Sequence, residues 1–213
     1  MAVTGLIWVI FVMVHLVENL LLFAGPEPYN RYAHFLVSLG PLLWLAELIL
    51  LVALVAHVTA AISLVLENRA ARPQRYVKLR SKGEPSKRTF ASMSMIFTGL
   101  TLLLFLIIHL KTFKYGPGIE QGYVQVIDGK QVRDLHRLVT ETFHNPIYVI
   151  WYVFALVFLG FHVRHGFWSA FQSWGAAHPR YTPILYSLGA LVGVALAVGF
   201  IFIPIWFYFF VGG

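Results

Sequence analysis

Residues 41–66 read PLLWLAELILLVALVAHVTAAISLVL, and Glu47 and His57 are the only ionisable side chains in that run. At about 1.5 Å per residue, a helix of this length crosses the roughly 30 Å hydrocarbon core of a bilayer. Lipid offers no hydrogen bonds to bare backbone, so a helix is the conformation such a run can adopt there. Four more segments of the same character lie to either side, at about 3–24, 90–113, 146–171 and 183–210, between polar or Pro/Gly-containing breaks. The expected fold is an all-α integral membrane protein: one domain, 1–213, forming a five-transmembrane-helix bundle in the cell membrane. Composition agrees, with 59% hydrophobic and 12% charged residues, far from the soluble balance. The first segment lacks a basic lead-in and runs into Pro26, so it is expected to be a retained helix and not a cleaved signal.

Charge then orients the bundle. The connection 67–88 carries Arg69, Arg72, Arg75, Lys78, Arg80, Lys82, Lys87 and Arg88 against Glu67 and Glu84, which by the positive-inside rule makes it a basic cytoplasmic loop. Five spans then put the N-terminus in the cytoplasm and the C-terminus outside. The connections 25–40 and 114–145 mix both signs of charge and are expected outside. Within the longer outer loop, Tyr123–Val126 and Gln131–Val132 flank Asp128-Gly129, a hairpin signal. Leu135, Leu138, Val139 and Phe143 follow at helical spacing, and 134–144 is expected to lie on the membrane as an interfacial helix. Trp8, Trp44, Trp151, Trp168 and Trp206 sit toward span ends and read as interface anchors. No internal repeat or low-complexity segment is evident. The net charge of +7 is read as topology; so apolar a chain has little surface for nucleic acid.

There is no cysteine, which excludes disulfides, thioether-linked haem and cysteine-held iron–sulfur clusters in this chain. The nine histidines divide by position. His34, His136, His144 and His178 fall in loops or at span edges. His15, His57, His109, His162 and His165 fall inside spans one to four, where an ionisable group is costly. A single intramembrane histidine is ordinarily a neutral ring bonded to a neighbouring helix. One on each of four helices has another reading, because bis-imidazole ligation of haem takes histidines in pairs from facing helices. Four ligands make two b haems.

Depth pairs them. His57 and His162 each lie about ten residues from the inner ends of their spans, hence ~15 Å deep, whereas His109 lies about twenty residues, ~30 Å, from the inner end of span three. His57 and His162 are therefore expected to hold an inner haem. His109 belongs to an outer one with His15, a pairing that needs tilt or offset of span one, since His15 falls near mid-span by counting. His162 and His165 share a helix face; Gly160 and Gly166 flank His162 and would let a flat macrocycle approach, as would Gly99, which favours His162. His165 is then a candidate for a haem propionate or quinone, with Arg164, Arg88 and Lys87 as partners for propionate charge or as plain membrane anchors. Glu18 and Glu47, the carboxylates inside spans, are candidates for proton transfer or quinol contact, or else for helix–helix hydrogen bonding.

The chain resembles the cytochrome b membrane-anchor subunit of succinate dehydrogenase and fumarate reductase, in its five-helix, diheme form. The resemblance spans nearly the whole sequence. It is most specific in Arg88-Thr-Phe-Ala-Ser92 through Gly99 to Leu104-Phe105 and His109-Leu-Lys-Thr-Phe113, and in Gly160-Phe-His162-Val-Arg-His-Gly166-Phe-Trp-Ser-Ala-Phe-Gln172 with Ser-Trp-Gly175. It implies an inner haem ligated from spans two and four, by His57 and His162, and an outer haem from spans one and three, by His15 and His109. It also implies a flavoprotein and an iron–sulfur subunit docked on the cytoplasmic face, near the 67–88 loop, and leaves the oligomeric state of that complex open. Many relatives are expected to carry a basic residue soon after the serine that opens span three; here Met93 follows Ser92. The implied function is electron transfer between the iron–sulfur subunit and membrane quinone, menaquinone being the quinone the resemblance favours, with the quinone near Ser92, Arg88 and His165 or near Glu18 and Glu47. Two alternatives share parts of the pattern: a diheme anchor of another quinone-linked enzyme, of nitrate reductase or hydrogenase type, and a haem-free transporter or anchor.

Overall fold

The computed structural model describes residues 1–71, 94–176 and 178–211. Five helices in it are long and apolar enough to cross a membrane: Ala2–Ala24, Pro41–Ala70, Met95–Lys114, Pro146–Ser173 and Thr182–Phe210. The first is helix α1 (Ala2–Asn19) tightening into a 3-10 turn, Leu20–Ala24. Helix α2 (Pro26–Ser38) follows, then α3 (Pro41–Ala70). Helix α4 (Met95–His109) continues into a π-helical turn, Leu110–Lys114. Strands β1 (Val124–Ile127) and β2 (Lys130–Arg133) and helix α5 (Leu135–Phe143) precede α6 (Pro146–Ser173) and α7 (Thr182–Phe210).

Helices α6 and α7 make the most intimate pair, and glycine permits it. A methyl group added at Gly193 would stand 2.6 Å from the Gly160 carbonyl oxygen, and one at Gly189 would stand 2.9 Å from that of Arg164. In lipid, where apolar side chains gain nothing by leaving the solvent, such close backbone approach is a main source of helix association. Gly160, expected to make room for a macrocycle, is thus taken up by α7. Helix α1 packs on α3, α6 and α7, and α4 packs on α6. Helix α3 packs on α1.

One end of the bundle is capped. Strands β1 and β2 form an antiparallel hairpin in which Asp128 and Gly129 both take positive φ, 51° and 74°, the two left-handed positions of a tight primed turn. Helix α2, not anticipated, begins at Pro26 with Pro28 two residues on; first-turn amides have no helical acceptor, so proline costs nothing there. Asn30, fully buried, joins the parts. It donates to Gln125 Oε1 (2.6 Å) and Asp134 Oδ1 (2.7 Å) and accepts from the His136 amide (2.9 Å). Arg31 pairs with Glu27 at 2.8 Å and with Asp128. Helix α5 packs its apolar face on the end of the bundle. Asp134 caps its N-terminus, and its apolar residues Val139 and Phe143 are buried in a core shared with Tyr29, Tyr152, Ile203 and Phe207. That face closes the end of the bundle. An ion pair between Lys114 and Glu47 ties the end of α4 to α3.

Candidate paired-histidine sites

Four of the five span histidines meet in two pairs. At the uncapped level, His57 of α3 and His162 of α6 face each other with ring centroids 6.4 Å apart and planes at 59°. Toward the cap, His15 of α1 and His109 of α4 stand 5.8 Å apart at 89°. A metal between two axial imidazoles, with bonds of about 2 Å and each centroid about 1 Å behind its nitrogen, separates the centroids by about 6 Å. Plain aromatic packing spans the same range, so proton placement is the more telling feature.

That placement follows from the hydrogen bonds of the His57–His162 pair. Thr98 Oγ1 lies 3.0 Å from His162 Nδ1 and donates its single proton to the Met95 carbonyl (3.1 Å). With its proton so placed the hydroxyl would accept from the ring, an arrangement that goes with the Nδ1–H tautomer of His162. His57 has the same arrangement: Thr4 Oγ1 donates to the Met1 carbonyl (3.0 Å) and lies 3.3 Å from His57 Nδ1. A metal-bound histidine ordinarily has its second nitrogen fixed by such an acceptor. Glycine lies alongside both rings, with the Gly5 and Gly99 Cβ positions 3.3 and 3.5 Å from the Cε1 atoms of His57 and His162.

The His15–His109 pair is held differently. His109 Nδ1 lies 3.3 Å from the Tyr152 hydroxyl, and the Asn19 amide lies 3.3 and 3.4 Å from the two His15 ring nitrogens. Glu18 Oε2 is 3.7 Å from His15 Nδ1. Tyr32 of α2 donates to the other Glu18 oxygen at 2.5 Å, and burial together with that bond pushes the Tyr32 phenol up to about 12. A cavity beside this pair, about 460 Å³ with its mouth included, is lined by His15, His109, Tyr29, Phe143, Tyr152 and Pro204 among others. The cap therefore forms one wall of the site.

Depth is set by the helices that touch both levels. Thr4 meets His57 and Thr98 meets His162; His15 and His109 each lie eleven residues farther along, three turns on the same face and about 16 Å higher. This resolves the difficulty over His15: α1 is offset toward the cap, with its fourth residue level with the middle of α3.

No family model, curated protein or solved structure matches the chain. The site must therefore be read from its own chemistry, and a bis-imidazole cofactor fits the residues present: paired rings from separate helices, with a threonine oxygen beside Nδ1 of both rings at one level and glycine alongside. Trp8 adds to the fit. It lies on the face of α1 that carries Thr4 and His15, and its Nε1 is buried without a hydrogen-bond partner among the described residues.

The remaining candidates are dispersed. His165 has no hydrogen-bond partner among the described residues and lies on the helix face of His162. Arg164 is exposed, and its backbone abuts Gly189 and Gly193; it starts ~200° round α6 from His162, on the α7 side. Glu47 is occupied by Lys114, whereas Glu18 stands beside His15. Lys87, Arg88 and Ser92 lie outside the described residues. Thr4, Gly5, Asn19, Thr98 and Tyr152 were not anticipated as site residues. A polar residue on the histidine face of an apolar span was the available signal.

Proposed function

We propose that this chain is the diheme cytochrome b membrane anchor of a succinate:quinone oxidoreductase, carrying electrons between an iron–sulfur subunit and membrane quinone, with menaquinone the first candidate. The observation that carries the reading is the meeting of four histidines from four helices in two pairs at two depths. His57 and His162 would hold the inner haem and His15 and His109 the outer one. Haem supplies one-electron redox chemistry when bound; the chain's part is to place the imidazoles, exclude water and manage protons. The reading takes the capped end as external, following the basic stretch that begins at Arg69, and docks the flavoprotein and iron–sulfur subunits on the opposite, cytoplasmic face.

Of the two span carboxylates, Glu18 suits proton exchange with a quinol. It touches His15 and a neutral phenol, Tyr32, at the cap, while the Glu47 charge is already balanced by Lys114. Phe143, Tyr152 and Tyr29 close the outer pair from bulk water.

Purification of the chain from its native membrane under mild conditions tests the assignment. Co-purifying subunits that bring flavin and iron–sulfur clusters, with haem b reduced on adding succinate or menaquinol, are expected. Molybdenum or nickel in place of flavin would assign the anchor to another quinone-linked enzyme, and a preparation with no Soret absorption would overturn the reading.

A further inference from the structure

Two segments of the chain prove to be copies of one device. Residues 4–15 and 98–109 both read Thr-Gly-Leu, then Phe seven residues after the threonine and His eleven after it: Thr4, Gly5, Leu6, Phe11, His15 and Thr98, Gly99, Leu100, Phe105, His109. The remaining positions share only apolar character, apart from Thr101 opposite Ile7, which conceals the match in a sequence where most positions are apolar. In the structure the correspondence is functional, position by position. Each threonine oxygen lies within hydrogen-bond distance of Nδ1 of a histidine on the other level's pair, His57 or His162. Each glycine leaves room beside that same ring, 3.3 and 3.5 Å from Cε1. Each phenylalanine lies against its own histidine one turn on: Phe11 on His15 at 5.4 Å and 13°, Phe105 on His109 at 5.6 Å and 28°.

From this we infer that Thr4 and Thr98 are a matched pair of positioning residues, which fix the His57 and His162 tautomers with the proton on Nδ1 and leave both Nε2 atoms free for a ligand. The inference rests on the haem reading for its purpose, but not for its geometry. Each hydroxyl spends its proton on a carbonyl one turn back, Met1 or Met95, and so presents only lone pairs to the ring. A donor there would select the opposite tautomer and block Nε2. An Nδ1–H held by an acceptor also makes the imidazole a stronger base and favours the oxidised metal. The threonines would thereby lower the potential of the haem they serve and leave the other unaffected.

Two measurements test this. In the first, ¹⁵N-histidine spectra of the reduced wild-type protein in bilayers should show Nδ1–H and unprotonated Nε2 at His57 and His162; Nε2–H at either would overturn the inference whether or not haem is present. In the second, Thr4→Val and Thr98→Val, which keep shape and remove the acceptor, should each raise the midpoint potential of the haem that is lost in His162→Ala. The other haem should not move, and Thr→Ser at either position should restore the wild-type value. Loss of that haem in the Val variants with retention in the Ser variants would equally place the requirement on the hydroxyl. Unshifted potentials in Val variants that retain both haems would overturn the inference. A wild-type protein without haem would instead sink the proposed function and leave the tautomer assignment standing on the spectra.

Discussion

Gly193→Ala is the sharpest structural perturbation available, because α7 contributes no histidine and acts on the sites only through α6. The new methyl carbon would lie 2.6 Å from the Gly160 carbonyl oxygen and 3.1 Å from the Arg164 amide nitrogen. Carbon and carbonyl oxygen ordinarily approach to about 3.3–3.6 Å, so α6 and α7 must part by about 0.7–1.0 Å at this point. Both obstacles are backbone and cannot rotate away. Overpacking of this kind costs about 1–3 kcal/mol. His162 lies between the two residues struck, and a displacement of that size exceeds the roughly 0.5 Å within which a ligand constellation tolerates error. The variant is expected to melt earlier than wild type in mild detergent and to lose the His57–His162 haem first. Gly166→Ala, where nothing lies within 4 Å, is the control for α6–α7 packing and should melt like the wild type. A Gly193→Ala protein with wild-type melting and full haem content would refute the close α6–α7 contact and the buttressing role derived from it.

Other outcomes follow from the same geometry. His57→Ala and His162→Ala should remove the same haem, seen as loss of the same component in a redox titration, while His165→Ala should leave both; different haems lost from the first two would break the pairing. Asn30→Ala leaves the Gln125 acceptor and the His136 amide without this partner and removes one of the two bonds to Asp134 Oδ1, at about 1–3 kcal/mol for each group left buried and unpaired. Amide exchange should quicken in the β1–β2 hairpin and α5 before the spans respond. Burial pushes His136 below its ordinary value of 6.5, so the unfolded chain takes up the proton first and cap stability should fall as pH drops below about 6.5, levelling off below the folded-state value. Exchange rates measured from pH 8 to pH 5 check this, and His136→Gln, which keeps a donor for the Leu22 carbonyl, should flatten the dependence.

The five long helices were legible because hydropathy over twenty or more residues is set by the lipid and needs no knowledge of neighbours. The cap was only partly so. Asp128-Gly129 announced its turn through the backbone it requires, but Pro26 and Pro28 read as a break although they open α2, since a proline's meaning depends on which turn of a helix it occupies. Pairing of His57 with His162 could be counted from depth. The meeting of His15 with His109 depended on the offset of α1, which is a property of packing. Small residues misled in one case and were overlooked in another: Gly160 serves helix contact with α7, while Gly5, never considered, faces the His57 ring. Thr4 and Thr98 escaped notice because a threonine in a helix ordinarily satisfies itself on its own backbone, as both do here, and only the fold shows what their lone pairs receive.

Haem per polypeptide is the quantity on which the account turns. A pyridine haemochrome assay on the purified chain, normalised to protein by amino-acid analysis, should return two haem b, falling to one in His162→Ala and to one, of the other kind, in His109→Ala. A value of zero in the wild type would leave a five-helix membrane protein whose histidines merely brace one another.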